Sequence, residues 1–217
     1  MDSDWRDVSP RNGLSGLLDR FIGPGATKAE LLLQFVPSLV AMVAAPAYAL
    51  TLPAQWTPLQ LGLLALLALD LVGGVLTNAT STAKRWYHRP GQGWRQHLAF
   101  VSLHVIHVLL VALLFRGGDW RFWLGTSGYL LGASVLILRS PLYLHRPVAL
   151  GLYGLSLLGD RYVVAPTPGL EWFVPFFFLK ILVSHLLQET PYRPGIPQEL
   201  SYSSHQSKYS SSGSPLS

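Results

Sequence analysis

Six stretches of this chain, at about 31–52, 58–78, 97–115, 120–138, 147–165 and 169–189, are apolar for long enough to cross a hydrocarbon core of about 30 Å. In lipid a backbone must satisfy its own N–H and C=O groups, which leaves helices and closed barrels as the spanning structures. Apolar runs of this length are the helical solution, the fifth being the weakest, with Gly151, Gly154 and Gly159 inside it and Asp160-Arg161 near its end. The expected fold class is therefore all-α, a polytopic membrane bundle of about six transmembrane helices. The charge content agrees: 12% of the residues are charged, against about 25% in soluble domains.

The polar remainder divides the chain. Residues 1–30 form an N-terminal segment in which Leu14, Leu17, Leu18, Phe21 and Ile22 recur at helical spacing, as in an amphipathic helix lying on a membrane. Gly23-Pro24-Gly25 ends it. No basic-then-apolar signal-peptide layout precedes the first apolar run, which reads as a retained anchor. Residues 31–189 are the transmembrane domain, and 190–217, rich in Pro and then Ser, read as a disordered cytoplasmic tail. Gly128 and Gly132 form a small-xxx-small pair that points to close helix packing in the fourth run.

Lys and Arg set the orientation. Twelve lie on one side of the expected spans (Arg6, Arg11, Arg20, Lys28, Lys84, Arg85, Arg89, Arg95, Arg139, Arg146, Arg193, Lys208) and three on the other (Arg116, Arg121, Arg161). Both termini are expected in the cytoplasm, with the protein in the cell membrane. The net charge of +5 reports this topology and is no nucleic-acid footprint. With no cysteine in the chain, thiolate metal sites and cysteine nucleophiles are excluded.

Ionisable groups inside apolar runs are costly and mark function by default. Asp70 and Lys180 lie twelve and eleven residues into runs that both head inward, so at about 1.5 Å per residue they share one depth near the middle. They are the expected catalytic or charge-carrying pair. His97, His104 and His107 follow on the third run, with His185 and Glu189 late in the sixth. These five are the candidate metal ligands, for zinc or iron, with His104-x-x-His107 presenting two imidazoles on one face. Asn78, Lys84, Arg85, His88 and Arg89 border the 79–96 loop. They are the candidate substrate-binding set, suited to anionic lipid headgroups. A polar pocket between runs two, three and six, opening to the cytoplasm, is the expected site.

Three functions fit this pattern. One is a metal-dependent membrane enzyme acting on a lipid or another hydrophobic substrate, although the dense histidine boxes of membrane desaturases are absent. Another is a proton-coupled carrier or channel, because Asp, Lys and His in a file can relay protons. The third is a non-catalytic scaffold or assembly protein whose polar groups only hold helices together.

Overall fold

A computed structural model describes residues 8–192, and these are helical with no strand among them. The expected tail from 193 onward lies outside the described residues. Four helices are long and apolar enough to cross a membrane: Lys28–Leu50 (α2), Pro58–Ala79 (α3), the pair Trp94–Leu103 and Val105–Leu114 (α5, α6), and Trp120–Arg139 (α7). The protein is a helical membrane protein. The fifth and sixth runs are less regular. His145–Tyr162 (α8) is helical but more polar, and the last run holds only a short helix, Phe173–Phe178 (α9), continued by a π-helical segment, Leu179–His185.

Local sequence explains where the helices begin. Thr27 with Glu30 and Thr57 with Gln60 form capping boxes at the starts of α2 and α3, each satisfying two of the N–H groups a helix start leaves open. Pro58 adds a residue preset for a first turn. Asp119 accepts from the Phe122 N–H at 3.0 Å to start α7. The amphipathic N-terminal helix is present as Gly13–Ile22 (α1). Leu14, Leu17 and Phe21 stand exposed along it, and Arg11 grips Asp19 at 2.7 Å. It ends at Gly23, whose φ of 88° is a conformation that favours glycine.

Tertiary contacts run the full height of the bundle. At one end Arg116, after α6, donates to the carbonyl of Ala165 and the hydroxyl of Thr167, both at 2.7 Å, and pairs with Asp119. At the other end Arg146, in the first turn of α8, pairs with Glu189 at 2.8 Å. Segment 179–185 packs chiefly on α3, with α8, α9 and α7 around it. It belongs to one core cluster with Leu71, Val101, Val108 and Ile137.

Two sequence expectations change. Gly128 and Gly132 face open space, with no heavy atom near a Cβ at either position, so they mark no close helix contact. The close approaches are at Gly73 and Gly74 instead. The 79–96 stretch is also no simple loop, because Thr80 caps a seven-residue helix, Ser81–Tyr87 (α4), at the base of the bundle.

Candidate functional site

The charged centre is built by three helices. Lys180, on the first π turn and almost fully buried, donates to the Asp70 carboxylate at 2.6 Å. The matched depth read from the sequence is thus a direct contact. His107 Nε2 reaches the same Asp70 oxygen from α6 at 3.0 Å. That oxygen accepts, so in its neutral form the ring carries its proton on Nε2 and has its lone pair on Nδ1. His107 Nδ1 is buried and has no hydrogen-bond partner among the described residues.

From there a file of imidazoles descends. His104 lies nearly parallel to His107, 8° apart with ring centres 5.1 Å apart, and donates through Nδ1 to the Phe100 carbonyl at 2.8 Å. The helix itself changes at this point, ending α5 at Leu103 and restarting α6 at Val105, with the His104 N–H on the Val101 carbonyl three residues back. The Phe100 ring follows, 4.4 Å from His104 and stacked at 3.9 Å on His185. His185 contacts His97 at 3.1 Å, and His97 stacks on His88 at 4.6 Å.

The lower tautomers follow from one fixed amide. Asn78 donates its NH₂ to the Gly74 carbonyl at 2.7 Å, which turns its oxygen toward His185 Nδ1 at 3.1 Å. His185 therefore donates from Nδ1 and accepts at Nε2, and His97 must donate from Nδ1. His97 and His185 are hydrogen-bonded ring to ring, and such a pair can pass a proton by accepting at one nitrogen and releasing at the other; the other rings of the file are stacked, with Phe100 between His104 and His185.

Comparison with protein-family models, curated proteins and solved structures finds no match for this chain. Its chemistry must be read from its own residues.

The basic stretch serves as a foundation. Lys84, buried in α4, donates at 2.6 Å to the carbonyls of both Ser184 and Leu187, closing the open end of the π segment. Burial lowers its pKa to about 8, so it still carries its charge near neutrality. Arg85 donates to the Pro24 carbonyl, and Arg89 lies 3.6 Å over the Trp86 ring and donates to the Trp86 carbonyl. Trp86 and Tyr87 donate to the carbonyls of Arg20 and Phe21 at 3.0 and 2.7 Å, seating α1 on α4. His88 Nε2 donates to the His185 carbonyl at 3.0 Å. These contacts turn the candidate substrate-binding residues inward, and of the basic residues nearby it is Arg95, beside the exposed Trp94, that faces outward.

Burial, with the nearby His97 and Lys84, lowers His88 to about 4. A free histidine titrates near 6.5, so the unfolded chain takes up this proton first as pH falls. The stability from a neutral His88 is complete above about pH 6.5 and is lost on acidification toward pH 4. The detergent melting temperature should fall between pH 7 and 5, and His88→Gln should flatten that slope. An unchanged slope in the variant would show that other groups set the acid response.

The candidate metal ligands are not assembled as one shell. Among the described residues no three His, Asp or Glu side chains stand where they could hold one ion. Glu189 turns to Arg146, while His104 and His107 belong to the upper cluster and His97 and His185 to the lower. The facing nitrogens of His97 and His185, 3.1 Å apart, are the pair best placed to share an ion. A cleft of about 280 Å³ lies at the far end of the bundle, among α6, α7, α8 and α9. Two contributors went unread in the sequence, Phe100 within the histidine file and Gly74 beneath Lys180. Phe100 stands four residues before His104, on the same face, which was the available signal.

Proposed function

We propose that this chain is a proton-coupled carrier or channel of the cell membrane, with Asp70 as the group that gains and loses the proton. One observation carries the reading: a single Asp70 oxygen is held by Lys180 at 2.6 Å and by His107 at 3.0 Å, at the head of a histidine file that ends beside the basic α4. A carboxylate with two competing cationic or donor partners can release one when it protonates, which lets protonation reorganise the helices that carry them. The π-helical backbone under Lys180 and His185 supports the same reading, because π turns recur at functional sites.

In this reading the chain crosses the membrane six times, with both termini in the cytoplasm. The Arg116 contacts to Ala165 and Thr167 at one end, and Lys84 to Ser184 and Leu187 at the other, support α8 and 173–185 as crossing elements. The 79–96 stretch then lies at the inner leaflet, where Trp94 and Arg95 meet anionic headgroups. Single cysteines at Gln55 and Arg95 of this cysteine-free chain should react with an impermeant maleimide from opposite sides of the membrane. Reaction of both from outside would overturn the topology.

Vesicles containing the protein and an internal pH dye test the function. Under an imposed membrane potential, proton entry should exceed that of empty vesicles at least severalfold. His107→Gln, which keeps a hydrogen-bonding group but cannot titrate near neutrality, should bring it close to the empty-vesicle rate, and His145→Gln should not. Equal entry for His107→Gln and the unaltered protein would remove Asp70–His107 from the proton path.

A further inference from the structure

The cleft at the opposite end of the bundle has no part in the histidine file, yet it adjoins it. Its inner wall is Val111, Phe122, Leu170, Phe173 and Val174, all buried and apolar. Phe173 stacks on Phe177 at 5.4 Å, and Phe177 lies 6.3 Å from the His107 ring. One layer of phenyl rings thus separates the cleft from the Asp70 centre. At about 280 Å³ the cleft falls just below the range of about 300–1,000 Å³ seen for drug-sized ligands. That suits a molecule of roughly ten heavy atoms.

The charges around it are unequal in availability. Arg116 is committed to Asp119, Thr167 and the Ala165 carbonyl, and lies over the Phe122 ring at 4.3 Å. Arg161 and Glu171 are exposed at the rim. Asp160, in the last turn of α8, is half-buried and lines the cleft; Arg116 acts on it at longer range, but among the described residues it makes no hydrogen bond or ion pair. A half-buried carboxylate over an apolar wall is disfavoured unless a cation or donor reaches it. The chemistry that satisfies such a group is an ammonium attached to hydrocarbon.

We propose that this cleft binds a small organic cation, an amine on an apolar body, with Asp160 as its counter-ion and the Val111–Phe122–Phe173–Val174 wall around its hydrocarbon. Binding is independent of the transport reading; that the amine is the cargo rests on it. As cargo, the ammonium would meet Asp160 while the coupled proton meets Asp70.

Phenethylamine and its charge-reversed near-isostere 3-phenylpropionate are the probes, titrated by calorimetry into the full-length protein in mild detergent with no gradient. The amine should bind saturably and the carboxylate should not, which also controls for partition into micelles. Asp160→Asn should weaken amine binding at least tenfold. Should that variant fail to fold, Val164→Phe at the cleft wall should block binding by filling it. Binding of the carboxylate in preference to the amine, binding of neither, or undiminished binding to both variants would each overturn the proposal. Amine binding without amine-dependent proton movement in vesicles would leave the site standing and remove the cargo role.

Discussion

Asp70→Asn is expected to cost the fold about 3–5 kcal/mol, the range for removing one partner of a buried ion pair. The variant leaves Lys180 charged with its side chain 3% exposed and its one anionic partner among the described residues gone. Asp70 itself is about a third exposed, and at the mid-span depth proposed for it that exposure gives a charge little relief. His107 would keep only a neutral amide oxygen as the acceptor for its Nε2–H. The double variant Asp70→Asn with Lys180→Met removes both charges and keeps most of the volume, so it should recover the larger part of that loss. Thermal and denaturant unfolding in detergent would show it. Single and double variants of equal stability would mean that the pair contributes nothing through charge.

The charge pair was legible in the sequence because depth is a one-dimensional quantity. Counting residues from the cytoplasmic or outer end of each run sufficed to match Asp70 with Lys180, and helix rotation sufficed to set His104 beside His107. Partner choice was not legible. Nothing in the spacing tells that His97 meets His185 while His107 meets Asp70, because that depends on how α6 is offset from α5 at His104 and on the wider π turns of 179–185. The basic stretch was misleading for a related reason. Lys84 and Arg89 read as lipid-facing when the segment is taken as a loop, but a Thr80-capped helix turns Lys84 onto the carbonyls of Ser184 and Leu187. Helix boundaries in the last two runs were the least certain, since glycines, Asp160 and Pro175 interrupt the apolar pattern there.

Gly74→Ala should be damaging although the position looks harmless, because the side chain it meets is the buried, ion-paired Lys180. A Cβ built there would lie 2.3 Å from Lys180 Cε and 2.6 Å from Cδ, far inside contact distance. The lysine stem must move, and it is confined between α3 and the core. Overpacking of this kind costs about 1–3 kcal/mol, and displacement of the ammonium from Asp70 carries the variant toward the ~3–5 kcal/mol of a broken pair. Gly62→Ala, in the same helix with nothing within 4 Å of the new Cβ, is the matched control. It should be neutral or stabilising by up to about 1 kcal/mol, since alanine loses less backbone freedom than glycine. The difference in unfolding free energy between the two alanine variants reads the Lys180 contact directly. If both behave alike, Lys180 does not lie against Gly74, and its contact with Asp70 has to be made along another path.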